Sequence, residues 1–355
     1  MTDLTHPREH TILKLDTAGF PSFFLAITMS NLVDSFDRQI NYMRVSVTDR
    51  CDLRCIYCAS TTFHNQTHEN TLRYEEIARV VQAAATIGVS KIRLTGGEPL
   101  VRLYLNRLVD MLVSIPGIEE VSMTTNGMLL VKYAAELKAA GLKRVNVSLD
   151  SLKPDKFAYI TGGGILKDVL QGIEFANNIG LVPVKINMVV LKGINDDEIL
   201  DFARMTITEG WNVRFIEYMP FAEAKMQGND IVSSQEIIST IRKQLGELEP
   251  HHPSVGNGPA KYYKLPDSNG TLGFIGAVTD CFCVQCNRFR LTSDGKLRPC
   301  LLDDDEIDIR EPLRRGATIK ELAEIIQSAA AVKREQHNLS VGNMPSARSM
   351  RQIGG

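Results

Sequence analysis

The chain lacks a surplus of charge of either sign, and it lacks a hydrophobic run of membrane length. Its 355 residues include 40 basic and 42 acidic ones, which leaves a formal net charge of −2. Domains that bind nucleic acid usually carry a basic surface, so this balance disfavours that class. No apolar run reaches the ~20 residues that a transmembrane helix needs. We therefore expect a protein of the cytoplasm that binds neither nucleic acid nor a membrane.

The N-terminal segment also lacks the features of a targeting signal. Its most apolar stretch is FPSFFLAITM, residues 20–29, which has no clear small-residue cleavage site. Asp3, Glu9 and Asp16 precede it, whereas transit peptides are poor in acidic residues. We interpret residues 1–30 as an N-terminal extension without an assigned role.

Cysteine is scarce and unevenly distributed. The seven cysteines form two groups: Cys51, Cys55 and Cys58, and then Cys281, Cys283, Cys286 and Cys300. A secreted disulfide framework would belong to a shorter chain and would spread its cysteines along it. Tight grouping in a long chain predicts binding of a metal or a cluster in a reducing compartment.

Strand-like and helix-like patterns alternate between residues 42 and 220. The predicted strands are residues 42–48, 91–95, 121–125, 144–149, 184–191 and 213–219. The predicted helices include residues 74–88, 133–142 and 196–210, each stopping at or near a glycine. Six β-α units in sequence predict an α/β fold with a parallel sheet, in the form of an incomplete (β/α)6 TIM-like barrel. In barrels the chemistry lies at the carboxyl ends of the strands.

The pattern changes after about residue 221. A Gly- and Asn-rich region with short strands follows, then a predicted helix at 318–333. We predict three regions: the extension 1–30, a partial barrel at 31–220, and a small irregular C-terminal module at 221–355 that carries the second cysteine group.

The first cysteine group, CDLRCIYC, follows the first predicted strand at its carboxyl end. Three thiolates can hold three irons of a four-iron cubane and leave the fourth iron open to a small molecule. Zinc with three cysteines and a water is the alternative, although catalytic zinc usually has His or carboxylate ligands. The C-x3-C-x2-C spacing resembles that of the radical S-adenosylmethionine enzymes. The resemblance implies that Cys51, Cys55 and Cys58 bind a 4Fe-4S cluster, whose open iron chelates S-adenosylmethionine and yields a 5′-deoxyadenosyl radical.

The second group narrows the resemblance. FCVQCNRFRLTSDGKLRPCL places Cys283, Cys286 and Cys300 in a C-x2-C-x13-C pattern. With RVSVTDRC, RLTGGEPL, NVSLD, RFIEYM and the terminal IGG, it resembles the GTP 3′,8-cyclases of molybdenum cofactor biosynthesis over about residues 40–355. The resemblance implies a second 4Fe-4S cluster on these three cysteines, with the purine of GTP on its open iron. Cys281 lies outside the pattern; we interpret it as a free thiol, the alternative being a further ligand.

The resemblance also implies an activity and its partners. The radical would take the hydrogen from C3′ of GTP, and C3′ would then attack C8 of guanine. The product would be (8S)-3′,8-cyclo-7,8-dihydroguanosine 5′-triphosphate, in the first step of molybdopterin biosynthesis. An external electron donor and a downstream enzyme that forms the cyclic pyranopterin are implied, and the protein is expected to be a homodimer.

Further site residues follow from the matched motifs. Those implied to bind GTP are Arg44, Arg93, Thr124, Lys185, Arg288, Phe289 and Arg290. Those implied to bind S-adenosylmethionine are Tyr57, Gly97, Ser148 and Met219. Those implied to act in catalysis are Arg44, Arg288, Arg290, Gly354 and Gly355, the glycines by reaching into the active site. A chain of net charge −2 must gather its cations locally to bind a triphosphate.

Two other classes stay open at this point. Radical peptide-maturing enzymes also carry auxiliary clusters, but they usually need more C-terminal cysteines. A zinc-ribbon module that binds nucleic acid would need four ligands per site and a basic face. The sequence departs from the cyclase pattern at Asp37, where glycine is usual, and in the glycine-rich loop ITGGG at 160–164.

Overall fold

The computed structural model describes residues 31–58, 66–221, 231–253, 258–337, 339 and 348–354. The N-terminal extension 1–30 and Gly355 lie outside the described residues. No helix within these ranges is long and apolar enough to cross a membrane.

Six parallel strands form the centre of the fold. They are β1 (Tyr42–Ser46), β2 (Lys91–Thr95), β3 (Glu120–Thr125), β4 (Arg144–Ser148), β5 (Lys185–Val190) and β6 (Asn212–Glu217). Each strand pairs in parallel with the next along the chain. These are the six predicted strands, with ends shifted by at most two residues. The prediction of an α/β fold with a mostly parallel sheet is therefore confirmed.

Helices connect these strands and continue into the C-terminal region. They are α1 (Tyr74–Thr86), α2 (Leu105–Val113), α3 (Leu130–Ala139), α4 (Pro154–Thr161), α5 (Leu166–Asn178), α6 (Ile199–Thr208), α7 (Ser234–Leu245), α8 (Arg310–Arg314) and α9 (Ile319–Ala331). In α1, Ile77, Val80, Val81 and Ala84 recur at helical spacing and are fully buried. This apolar stripe fixes the face of α1 that packs into the core.

The C-terminal third is more regular than predicted. Its strands are β7 (Glu249–His251), β8 (Lys261–Lys264), β9 (Thr271–Ile275), β10 (Arg288–Leu291), β11 (Lys296–Arg298) and β12 (Ile307–Asp308). The sheet order is β12-β11-β10-β1-β2-β3-β4-β5-β6-β9-β8-β7. Strand β10 pairs in parallel with β1, and β9 pairs in parallel with β6. The C-terminal strands thus extend both edges of the central sheet.

The two faces of the sheet differ sharply in polarity. Met43, Val45, Ile92 and Leu94 on one face are fully buried in the main hydrophobic core. Alternate residues point to the other face, and there the register sets Arg44 beside both Arg93 and Arg290. Parallel strands are usually apolar on both faces. A face of buried cations is therefore a departure that needs a ligand to explain it.

The backbone conformation is left-handed at Asp37 and at Gly162, where the sequence departs from the cyclase pattern. Asp37 has a φ of 58°, in the left-handed region that glycine occupies most readily and Asp tolerates. Gly162 ends α4 with a φ of 69°. A Cβ on Gly162 would lie 2.8 Å from the carbonyl oxygen of Arg54, so this loop packs directly against the first cysteine group.

Candidate active site

A single cavity opens on the polar face of the sheet and at the carboxyl ends of its strands. Predicted site residues that line it are Arg44, Cys51, Cys55, Tyr57, Cys58, Arg93, Gly97, Thr124, Ser148, Lys185, Met219, Arg288 and Arg290. Phe289 does not line it; this side chain is fully buried in the main core. Because side chains alternate along β10, Phe289 points away from the face that carries Arg288 and Arg290.

The first cysteine loop is held by its backbone. The amide of Arg54 donates to the carbonyl of Thr161 at 2.8 Å, and the amide of Ile56 donates to that of Ile160 at 2.9 Å. All three thiols are partly buried. Burial raises the pKa of Cys51 to about 11 and that of Cys58 to about 12. Partly buried thiols that face one cavity from a fixed loop suit a site where iron replaces the thiol protons.

The GGEP motif packs beneath that loop. A Cβ on Gly97 would lie 2.3 Å from the carbonyl oxygen of Arg50, so only glycine allows this approach of two backbones. The amide of Gly97 donates to the carbonyl of Thr48 at 2.7 Å. The glycines therefore fix the position of the cysteine loop, in addition to any contact with a cofactor.

Glu98 is a residue that sequence reasoning missed. Its buried carboxylate accepts hydrogen bonds from the Leu100 amide at 3.0 Å, the Thr125 hydroxyl at 2.8 Å and the Asn126 amide at 2.7 Å. Burial raises its pKa to about 7. Glu98 ties the end of β2 to the end of β3, and its fixed place in GGEP was the signal that could have identified it.

Tyr57 is held in place by Asp150, a residue that follows β4. Its hydroxyl donates to Asp150 Oδ2 at 2.7 Å, and Asp150 Oδ1 accepts from the Val189 amide at 2.9 Å. Burial raises the pKa of the Asp150 carboxyl to about 6. The loop between Cys55 and Cys58 is therefore fixed to the end of β4 as well as to α4.

Cations are concentrated on the wall that the strands form. Burial lowers the pKa of Arg44 to about 10 and that of Lys185 to about 7, and for Lys185 the nearby Arg214 acts in the same direction. Burial also holds the pKa of Arg290 well below its usual range, and Arg44 adds to the effect. Charges gathered this closely repel one another, and a bound anion would offset that repulsion.

Several lining residues were not predicted. They are Lys91, Arg144, Asn187, Arg214 and Tyr262. Lys91 lies two residues from Arg93 along β2, and Asn187 lies two residues from Lys185 along β5 and beside Ser148. Arg144 lies four residues from Ser148 along β4. The period of two along each strand could have identified them once that face was known.

Unsatisfied buried polar atoms mark where a ligand fits. The described residues offer no hydrogen-bond partner to Arg93 Nη1, Arg214 Nε, Arg214 Nη2 or Thr124 Oγ1. Buried polar groups are nearly always paired, and arginine is suited to bidentate binding of phosphate. The cavity therefore has donors for a polyanion on the wall that the strands form, and three thiols for a cluster at the carboxyl ends of the strands.

The second cysteine group lies next to β10 and β11: Cys283 and Cys286 precede β10, and Cys300 follows β11. Cys283 is buried, Cys286 and Cys300 are partly buried, and Cys281 is exposed. Although burial opposes it, Arg288 and Lys333 lower the pKa of Cys286 to about 7, whereas burial raises that of Cys283 to about 12. These four cysteines are not among the residues that line the cavity.

The C-terminal tail connects the two cysteine groups. Arg290 Nη1 donates to the carbonyl of Gly354 at 2.7 Å. Ile353 is buried in a small apolar cluster against which Cys300 and Met219 pack. The tail thus brings Gly354 to the cation wall, while Gly355 lies outside the described residues.

Comparison with known proteins identifies the family. The profile of the Radical SAM superfamily matches residues 45–206, and that of Molybdenum Cofactor Synthesis C matches residues 211–339. A GTP 3′,8-cyclase of Pelotomaculum thermopropionicum is 49% identical over 324 residues, or 91% of this chain and 99% of that protein. A GTP 3′,8-cyclase of Moorella thermoacetica is 50% identical over 323 residues, with the same coverage. The chain belongs to the GTP 3′,8-cyclase family.

Solved structures agree at the level of the fold. Streptococcus suis SuiB bound to S-adenosylmethionine matches with a TM-score of 0.58 and 15% identity, covering 81% of this chain and 68% of that one. A structure of anSMEcpe with bound AdoMet matches with a TM-score of 0.51 and 16% identity, covering 82% and 84%. Membership of the GTP 3′,8-cyclase family confirms the resemblance drawn from the motifs, and it does not favour a peptide-maturing enzyme or a zinc ribbon.

Proposed function

We propose that the chain carries out the GTP 3′,8-cyclase reaction in the cavity on the polar face of the sheet. The reaction converts GTP into (8S)-3′,8-cyclo-7,8-dihydroguanosine 5′-triphosphate, the first step of molybdopterin biosynthesis, with S-adenosylmethionine and two 4Fe-4S clusters. One observation supports this location above the others: a single cavity joins three thiols to a wall of buried cations.

We assign the part of the cavity around the first cysteine group to the first cluster and S-adenosylmethionine. When bound, these groups supply the radical that removes the C3′ hydrogen of GTP, so that C3′ can bond to C8 of guanine. Cys51, Cys55 and Cys58 are the proposed iron ligands. The proposed contacts to S-adenosylmethionine are Tyr57, Gly97, Ser148 and Met219, which all line the cavity. Glu98 and Asp150 would position these residues, because Glu98 binds the Asn126 amide after β3 and Asp150 binds the Tyr57 hydroxyl.

We assign the wall to GTP. Arg44, Arg93, Lys185, Arg288 and Arg290 would neutralise the triphosphate, and the triphosphate would in turn offset the repulsion among them. Holding the nucleotide at several points lowers the entropy loss of reaction, because the ribose is then fixed relative to the donor. Thr124, whose hydroxyl is buried without a partner among the described residues, would accept or donate one further hydrogen bond.

The second cluster and the tail complete the proposed site. Cys283, Cys286 and Cys300 are its proposed ligands, with guanine on the open iron. Phe289 would then support Arg288 and Arg290 from the core, since the structure does not place it at the cavity. Arg290, which contacts Gly354, would position the terminal Gly354-Gly355 pair close to the substrate.

The wider organisation is also a proposal. Residues 31–220 would form the incomplete (β/α)6 barrel and 221–355 the C-terminal module, with 1–30 as an extension. The protein would act in the cytoplasm as a homodimer, where reducing conditions preserve the clusters. An external donor would supply the electron, and a downstream enzyme would convert the product into cyclic pyranopterin.

Anaerobic incubation with GTP, S-adenosylmethionine and a reductant, followed by mass analysis, tests the proposal. Cys51→Ser should abolish 5′-deoxyadenosine, because the first cluster loses a ligand. Cys300→Ser should retain 5′-deoxyadenosine formation but lose the cyclised nucleotide. Val284→Ala, an exposed position in the second cysteine group, serves as the control and should retain both. Full cyclisation by Cys300→Ser would contradict the second site.

A further inference from the structure

One cluster of metal-ligating side chains lies outside the sites assigned above. The ligand atoms of Cys281, Cys283 and His337 all lie within 4.8 Å of one another. In the described parts of the chain, no other set of three or more His, Cys, Asp or Glu residues meets this distance. The cysteine spacing gives no role to Cys281, and no sequence motif singles out His337.

The separation suits one small ion. Zinc lies about 2.3 Å from a thiolate and about 2.0–2.1 Å from an imidazole nitrogen. Two thiolates that bind one such ion tetrahedrally lie about 3.8 Å apart. Ligand atoms that all lie within 4.8 Å of one another can therefore bind one ion after small shifts. Cys286 and Cys300 do not join this set. Two thiolates and an imidazole are a donor set that selects zinc or another thiophilic ion over magnesium or calcium.

The surroundings orient the donors. His337 Nε2 lies 3.0 Å from the carbonyl oxygen of Ala277. A proton on Nε2 would be donated to that carbonyl, as in many zinc sites, and would leave Nδ1 as the ligand atom. The Leu339 amide, now 3.2 Å from Nδ1, would give way to the ion. On the other side, Arg38 Nη1 donates to the carbonyl of Cys283 at 2.8 Å and holds the cysteine loop in place.

We propose that Cys281, Cys283 and His337 form a mononuclear site for a thiophilic divalent cation such as Zn²⁺ in the chain that has not yet received its second cluster. Binding releases the thiol protons, and a water completes the tetrahedron. The site itself depends only on this geometry. One consequence of the site rests on the proposed function. Because Cys283 is also a proposed cluster ligand, the ion and the second cluster cannot occupy the chain together.

Cobalt titration of the full-length, iron-free chain tests the site. The first cysteine group is silenced by Cys51→Ala, Cys55→Ala and Cys58→Ala, so that only the C-terminal thiols remain. We expect one Co²⁺ per chain with thiolate-to-metal absorption, displaced by one equivalent of Zn²⁺. Cys281→Ala and His337→Ala should each weaken binding by more than about 10-fold. Cys300→Ala is the matched control, since it removes a thiol outside the trio, and it should bind as the parent does.

Two outcomes would overturn the inference. Unchanged affinity in Cys281→Ala would show that the site does not exist. A loss of affinity in this variant is not explained by misfolding, because Cys281 is exposed. A loss in Cys300→Ala as large as in Cys281→Ala would place the ion on the proposed cluster ligands. Mutual exclusion is tested separately: one equivalent of Zn²⁺ should slow iron loading at the second group in the wild type and not in Cys281→Ala. Equal slowing in both would refute exclusion while leaving the mononuclear site intact.

Discussion

The two cysteine groups are built from different kinds of chain segment. Cys51, Cys55 and Cys58 lie on one loop, held by backbone hydrogen bonds to the end of α4 and to the loop that follows β2. The second group is assembled from distant segments: Arg38 donates to the carbonyl of Cys283, and Lys333 donates to that of Pro299. The first site is therefore rigid through close backbone packing, whereas the second depends on a few long side chains. The predictions below separate these two modes of support.

The largest expected effect on activity comes from a change at the first site. In Gly97→Ala the new Cβ would lie 2.3 Å from the Arg50 carbonyl oxygen, and neither backbone can yield. We expect loss of about 1–3 kcal/mol of stability from overpacking, loss of the first cluster's iron and no 5′-deoxyadenosine. Iron analysis and product assay measure this. Gly258→Ala, with open space around its Cα, is the control for stability and iron. A fully active Gly97→Ala would show that the packing is not essential.

Arg38→Ala tests the second site in the same way. The guanidinium pairs with Asp34 Oδ2 at 2.6 Å and donates to the carbonyls of Cys283, Arg334 and Glu335. Its removal leaves the buried carboxylate unpaired, which costs about 3–5 kcal/mol. We expect the second cluster's iron to be lost first, with 5′-deoxyadenosine formation retained in the folded fraction. Arg204→Ala, in an exposed ion pair with Asp201, should change little. Equal iron loss from both cysteine groups would show that the two sites are not supported separately.

Because of Lys185, we expect the affinity for GTP to depend on pH. Burial, with Arg214, lowers its pKa to about 7, and a bound triphosphate would favour the charged form. GTP binding therefore takes up a proton above that pH, and affinity should fall about tenfold between pH 6 and pH 8. Lys185→Arg, which stays charged, should lose this part of the dependence. Calorimetry in buffers of different ionisation enthalpy measures the proton uptake, and identical profiles for both proteins would contradict the assignment.

The smallest effect on activity is expected for the C-terminal tail, which connects the two groups. Arg348 Nη2 lies 2.9 Å from both Asp294 Oδ2 and Glu306 Oε2. Arg348→Ala should cost about 1–3 kcal/mol, because it removes the hydrogen bonds of two largely buried carboxylates. It should loosen the contact of Gly354 with Arg290 and lower cyclisation without iron loss at either group. Arg315→Ala, in an exposed pair with Glu311, is the matched control. A proportional loss of iron would show that the tail supports the clusters instead.

The same contrast explains what the sequence could predict. Strands β1 to β6 were predicted because each is a short apolar run within a repeating unit, and CDLRCIYC because its ligands are adjacent in the chain. Other contacts join residues that are far apart in sequence, so no local sequence pattern could predict them. Examples are the pairing of β10 with β1 and the approach of His337 to Cys281. Phe289 was placed at the substrate by motif alone, while the alternation of side chains along β10 directs it into the core.

The pairing of β1 with β10 has a consequence for biosynthesis of the chain. The side chains of Asn41 and Asn287, which flank this pairing, are hydrogen-bonded at 3.0 Å across 246 positions. At about 5–20 residues per second, a ribosome needs roughly 10–50 s to synthesise that interval. Throughout this time one edge of β1 remains a template for unwanted strand pairing. Nascent chains stalled before β10 should therefore aggregate more readily than those stalled beyond it.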